Sequence, residues 1–327
     1  MIKRCLVLCL SMILLTACGA QTSVPTSTTE PTQPEPTLSP TPEVTMTPAS
    51  FDFPEITFDG MKDPYGIAIN SLGNFYVTDA GNGRVLVFDA QGNLISTWDK
   101  QGSGDGEFKS MGFGGLAIDS NDNVFVVDNG NFRIQKFDKD GNYITQWGSE
   151  GTGDSQFVRA IGIATDADGN VYVTDDGNPF VQKFDNNGNF IMKFGSQGEG
   201  DGQFSHATGI AVDGQGNIFV ADYELKRVQK FDSTGNFITV WKMGDDIGVS
   251  GIPEAIAIDD QGNVYVSDYL LGRIQIFDND GNFISAIGGK SISNNPFKRP
   301  TGIIFDGNGK MYVVNQSGNN ISIVELP

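Results

Sequence analysis

The sequence predicts an all-β protein: a six-bladed β-propeller of four-stranded antiparallel blades, with the ring closed by an N-terminal strand. Three observations point there. A Gly-Ile-Ala-Ile/Val-Asp pattern begins at Gly66 and recurs at Gly115, Gly162, Gly209, Ala255 and Gly302, at spacings of 49, 47, 47, 46 and 47 residues. Apolar runs of four to six residues, bounded by Asp, Gly and Asn, read as four strands per unit. No helical period of useful length follows residue 50. Four strands repeated six times at about 40–50 residues is the pattern of a propeller.

The third unit shows the elements in order. Its strands are expected at Ile161–Thr165, Val171–Thr174, Val181–Phe184 and Phe190–Phe194. The connections Asp166-Ala167-Asp168-Gly169-Asn170 and Asp185-Asn186-Asn187-Gly188-Asn189 repeat one turn, Asp-x-x-Gly-Asn. Asp opens such a turn by accepting backbone hydrogen bonds, and Gly takes the positive-φ position. The same aspartate recurs as Asp89, Asp119, Asp138, Asp213, Asp232, Asp259, Asp278 and Asp306, and accounts for much of the acidity. Asp138 and Asp278 open an Asp-x-Asp-Gly, part of a calcium loop but without the late Glu such a loop needs. The sixth unit stops before its fourth strand, whereas Glu55-Ile56-Thr57-Phe58 precedes the first unit with fourth-strand character. Pairing the two removes both raw edges of the ring.

The first fifty residues differ in kind. Lys3 and Arg4 lead an apolar run from Cys5 to Leu15, too short for a permanent span of about 20 residues. Leu15-Thr16-Ala17-Cys18 then resembles a bacterial lipobox. That resemblance implies cleavage before Cys18 and acylation of its sulfur, which would hold the protein on a membrane; two or more chains make a stable anchor. Residues 19–50 contain seven Pro, nine Thr and four Ser and no aromatic residue, a composition that cannot bury enough surface to order itself. The expected division is a signal peptide over 1–17, a lipidated cysteine and extended tether over 18–50, and a propeller head over 51–327.

Composition narrows function. Acids outnumber bases 40 to 21 for a net charge of −19, which argues against a nucleic-acid partner. The three cysteines, Cys5, Cys9 and Cys18, all lie in the first eighteen residues, so no disulfide framework or cysteine zinc module is expected in the head. One histidine, His206, is too few for a multi-histidine metal site. No cofactor is expected, with calcium in the channel left open.

The units resemble NHL repeats through Gly-Ile-Ala-x-Asp, Gly-Asn-Val-Tyr-Val-x-Asp, Arg-Ile-Gln-Lys-Phe-Asp and Gly-x-Gly-Asp-Gly-x-Phe, the last at Gly102–Phe108 and Gly198–Phe204 with a variant at Gly151–Phe157. The resemblance covers nearly all of 61–327. It implies that the strand-end aspartates (Asp79, Asp128, Asp175, Asp222, Asp268) and Arg84, Arg133, Arg227 and Arg273 brace neighbouring blades. Phe108, Phe157, Phe204 and Phe297 are expected as wedges between blades. Such propellers serve both as binding platforms and as enzymes.

A ligand site is expected on the face opposite the uniform turns, where the loops vary. The links into the innermost strands would ring the channel mouth with Tyr65, Phe113, Arg159, His206, Glu254 and Arg299. The outer loops of units three to five add Pro179 and Phe180, then Tyr223 and Leu225, then Tyr269, Leu270 and Leu271. An aromatic and aliphatic rim around a mixed-charge mouth suits a protein, peptide or glycan. The expected function is therefore binding or scaffolding by a monomeric head held outside the cytoplasm in the cell envelope. A metal-assisted hydrolase or lyase in the channel, lactonase-like, is the alternative, and a purely structural envelope component a third. Replacing Cys18 (Cys18→Ala) is expected to move the protein from the membrane to the soluble fraction; unchanged fractionation would remove the anchor from this account.

Overall fold

The computed structural model describes residues 55–57, 60–112, 114–244, 250–289 and 295–326, so Cys18, the tether and Phe113 lie outside the described residues. Near-continuous apolar runs give strands buried on both faces where blades pack, and alternation gives outermost strands half-exposed at the rim. The first blade is Pro64–Ile69, Phe75–Asp79, Arg84–Phe88 and Leu94–Trp98; the second is Leu116–Ile118, Val124–Asp128, Arg133–Phe137 and Tyr143–Trp147. The third is Ala160–Thr165, Val171–Asp175, Phe180–Phe184 and Phe190–Phe194; the fourth is Ala207–Val212, Ile218–Asp222, Arg227–Phe231 and Phe237–Lys242. The fifth is Pro253–Ile258, Val264–Asp268, Arg273–Phe277 and Phe283–Gly288. The sixth takes Pro300–Phe305, Lys310–Asn315 and Asn320–Glu325, and its outermost strand is Glu55–Thr57.

That last strand closes the ring as expected. It runs antiparallel to Asn320–Glu325, with Ile56 opposite Ile321 and Thr57 opposite Asn320. Both isoleucines are buried in a cluster that also takes Phe75 and Leu86 from the first blade. The first and last strands of the propeller thereby share one core.

Each core lies between blades rather than within one. Phe108 is fully buried and packs with Tyr76 and Val85 of the first blade and Val126 and Phe137 of the second. Phe157, Phe204 and Phe297 repeat that role at later seams. A fully buried phenylalanine contributes roughly 1.5–3 kcal/mol of apolar burial, so each wedge adds to the adhesion of the blades it lies between.

The strand-end aspartates and the arginines pair inside a blade, on adjacent strands. Arg133 donates from Nε to Asp128 at 2.8 Å, while its terminal nitrogens donate to the carbonyls of Ser103, Gly104 and Glu107. Those carbonyls belong to the Gly-x-Gly-Asp-Gly link from the previous blade, and Arg227 does the same to Glu199, Gly200 and Gln203. The arginine fork, rather than the ion pair, ties one blade to the next. The ten turn aspartates behave as read. Asp232, for example, accepts from the backbone of Thr234 and Asn236 and from both of their side chains, bonds that pull its carboxyl down to about 2.

One irregularity positions everything at the mouth. In five blades the pairing of the innermost strand with its neighbour shifts register at the mouth end, between Pro64 and Ile67, Ala160 and Ile163, Ala207 and Ile210, Pro253 and Ile256, and Pro300 and Gly302. Such a bulge re-aims a side chain and frees a backbone N–H. Buried hydroxyls on the second strand accept the freed amides: Thr78 from Gly66, Thr174 from Gly162 and Ser267 from Ala255, each at 2.8 Å. In four of these blades glycine follows the bulged residue (Gly66, Gly162, Gly209 and Gly302), because neighbouring innermost strands nearly touch there. A Cβ on Gly162 would stand 2.2 Å from the Thr208 carbonyl oxygen, and one on Gly209 would stand 2.4 Å from that of Glu254.

Candidate binding site at the channel mouth

The bulge sets two levels of residue at the mouth. The bulged position itself carries Tyr65, Ile161, Thr208, Glu254 and Thr301, at the inner end of the channel. Two residues earlier, on the links, stand Arg159, His206 and Arg299 at the lip. The first residue after each strand-end aspartate or asparagine adds a third position: Asp176, Tyr223, Tyr269 and Gln316. Backbone bonds lock this position to the lip. The amide of Asp176 donates to the Arg159 carbonyl, Tyr223 to His206, Tyr269 to Ile252 and Gln316 to Arg299, at 3.0–3.1 Å.

These levels enclose a cavity of about 230 Å³. Its floor is a pair that reaches across the ring from the first to the fifth blade: the Tyr65 hydroxyl donates to Glu254 Oε1. Both side chains also line the end of the central channel, a space of about 950 Å³ otherwise walled largely by Gly, Ile and Ala of the innermost strands. The pair therefore stands between channel and cavity. One wall is a wedge of two tyrosines, Tyr223 and Tyr269, with centroids 6.4 Å apart and planes at 59°. The Tyr269 hydroxyl donates to Gln316 Oε1 at 2.8 Å, and the Arg299 guanidinium lies 5.5 Å from the Tyr269 ring centre. The other wall is Arg159, Asp176 and His206. Arg159 pairs with Asp176 Oδ2, while Asp176 Oδ1 is buried without a hydrogen bond, 3.8 Å from His206 Nε2. His206 Nδ1 is likewise buried without a partner.

Burial governs the electrostatics. Glu254 is pushed up to about 7 because its charge is taken out of water, with the Tyr65 bond pulling slightly the other way. Burial, then the charge on Glu254, lifts the Tyr65 phenol well above its ordinary value. Tyr223 is raised first by burial and then by Glu254. A buried carboxyl that titrates near neutrality inside a cavity marks a candidate functional group.

Six of the expected site residues line this cavity: Tyr65, Arg159, His206, Glu254, Tyr223 and Tyr269. Arg299 stands just behind Tyr269, and Phe113 lies outside the described residues. The structure does not bring the remaining loop residues there. Phe180 begins the third strand of its blade and packs under the Lys193 ammonium, 5.0 Å from the ring centre. Pro179, beside it, is half-buried outside the cavity lining. Leu225 and Leu271 are held by amide bonds to Asp222 and Asp268, and Leu270 points out, 49 % exposed. Asp176 and Gln316 were not expected. Their signal was the repeat itself, since each sits where Tyr223 and Tyr269 sit, one residue past the strand-end Asp or Asn.

A family described as a 6-bladed beta-propeller, DUF5128, matches residues 61–146 and 152–250. The chain belongs to that family. A comparison with curated proteins gives no match. Among solved structures, the propeller is similar to the virginiamycin B lyase of Staphylococcus aureus (TM-score 0.60, 14 % identity, 84 % of this chain and 99 % of that one). It is similar to a gluconolactonase of Xanthomonas campestris (TM-score 0.61, 16 % identity, 86 % and 97 %). It also resembles a chain of a nidogen/laminin complex (TM-score 0.55, 19 % identity, 69 % and 80 %). At these identities the likeness is one of fold.

Among the described residues no group of three or more His, Cys, Asp or Glu side chains converges to hold an ion. Of the acids at the mouth, Asp176 pairs with Arg159 through Oδ2 and Glu254 accepts from the Tyr65 hydroxyl. What the cavity offers is hydrogen bonding and an aromatic wall.

The Glu254 shift has a testable sign. Raised from 4.5 to about 7, it makes the folded state bind more protons than the unfolded one across that interval. Its contribution is fully present below about pH 4.5 and is lost as pH rises through about 7, a difference on the order of 3 kcal/mol. In denaturant melts from pH 4.5 to 8, Glu254→Gln should lack this decline relative to the unmodified protein. Parallel pH profiles would refute the shift.

Proposed function

We propose that the chain is an extracytoplasmic binding protein, anchored through lipid on Cys18, whose propeller holds the end of a peptide, protein loop or glycan in the mouth cavity. The observation that carries this reading is the combination in one small cavity of a tyrosine wedge with buried polar atoms that have no partner. Buried groups of that kind are costly to leave unpaired, and a ligand that pairs them recovers the cost. The anchor and the outward location are supported by the Leu15-Thr16-Ala17-Cys18 tetrapeptide and by the Pro/Thr-rich segment that follows it. The neighbours in fold include two enzymes and a protein complex, so fold does not choose between catalysis and binding. The binding reading is supported by the mouth acids Asp176 and Glu254, which are engaged by Arg159 and by Tyr65.

Thermal shift of the full chain against a panel of sugars, dipeptides and short peptides tests this. Compounds that bind should raise Tm, and the double variant Tyr223→Ala/Tyr269→Ala should abolish the rise while melting cooperatively. A rise undiminished in the double variant would place the site elsewhere.

A further inference from the structure

Resting on the reading of the mouth cavity as a ligand site, we propose that it takes one uncharged sugar ring, seated against the Tyr223–Tyr269 wedge with its hydroxyls toward Asp176 and His206. Three features select this class. The first is size. At about 230 Å³ the cavity falls below the roughly 300–1,000 Å³ typical of sites for drug-sized ligands, so it takes a single ring or side chain.

The second is charge. The charged groups that face the space are Arg159, Asp176, His206, Glu224 and Glu254, with Arg299 behind Tyr269. Arg159 neutralises Asp176 and Glu254 is bonded to the Tyr65 hydroxyl, so the two buried acids are answered within the protein, while Glu224 is exposed to solvent. A net cation would meet Arg159 and Arg299; a net anion would meet Asp176, Glu224 and Glu254. A neutral ligand meets neither penalty.

The third is the kind of hydrogen bond left open. Asp176 Oδ1 needs a donor and has none, and the 3.8 Å gap to His206 Nε2 is too long for a direct bond. A hydroxyl both donates and accepts, so one such group answers the carboxylate and the imidazole together. The tilted tyrosine faces accept the apolar C–H side of the same ring. A side chain such as leucine would cover the tyrosines but leave Asp176 unpaired. A peptide amide could pair Asp176 but would offer no ring face to the wedge.

Saturation-transfer NMR on the full chain tests this with the methyl pyranosides of glucose, galactose and mannose, set against glucuronate, glucosamine, glycylglycine and leucinamide. At least one methyl pyranoside should show saturable transfer. Asp176→Asn and Tyr223→Ala should each weaken it at least tenfold, and Phe180→Ala, outside the cavity, should leave it unchanged. Near-ultraviolet circular dichroism confirms that each variant is folded. Transfer confined to the charged sugars or to the peptide compounds and lost in Tyr223→Ala would overturn the sugar assignment while keeping the cavity as a site. Pyranoside transfer that survives both cavity variants would overturn the assignment to this cavity. Absence of transfer from every probe would overturn both.

Discussion

The structure depends on a buried carboxylate repeated around the ring. Asp79, Asp128, Asp175, Asp222 and Asp268 close the second strand of five blades and are fully buried. Each accepts backbone N–H groups from the link that enters its blade: Lys62 to Asp79, Lys109 to Asp128, Val158 and Arg159 to Asp175, Ser205 and His206 to Asp222, Ile252 to Asp268. Taking a carboxylate out of water costs several kcal/mol, recovered only when its lone pairs are filled. Filling them pins the link, and the link carries the lip of the mouth.

The exceptions follow the same logic. In the third blade Phe180 stands where four other blades carry arginine, and Asp175 instead collects the amides of Val158, Arg159 and Gly177 together with the Asn178 side chain. In the sixth blade both partners change together. Asn315 replaces the aspartate and Asn320 the arginine, bonded at 2.8 Å, and Asn315 still accepts the link amide of Lys298. Loss of a buried charge is tolerated when its counter-charge goes with it. The opposite face is fixed by its own aspartates, whose side chains are spent on turns. Variation is left to the mouth, where the clasp dictates the backbone and leaves the side chains free, and there Tyr65, Glu254, Tyr223 and Tyr269 stand.

The fold was legible because every blade states it twice, once in strand periodicity and once in Asp-x-x-Gly-Asn turns. Ring closure was legible from the missing fourth strand. The site was legible as a face and in part as residues, since links and second-to-third loops vary against a constant frame. Two things were not. The bulge in five of the innermost strands cannot be seen in the residues, so the sequence groups Tyr65 and Glu254 with Arg159, His206 and Arg299 although they sit two residues deeper. Loop character also misled: Phe180 and the three leucines look like a rim, yet the residue next to the strand-end clasp is the one that faces inward. Applying the repeat strictly at that position reaches Asp176 and Gln316.

The clasp is the central claim, and amide hydrogen exchange on the full chain tests it most directly. The links are loops at an open mouth, and without the clasp their amides would exchange like any exposed loop, within seconds to minutes. If the buried carboxylates hold them, the amides of Lys109, Arg159, Ser205 and His206 exchange as slowly as those of the core strands that flank them. Rapid exchange at these four positions beside protected strands would contradict the account.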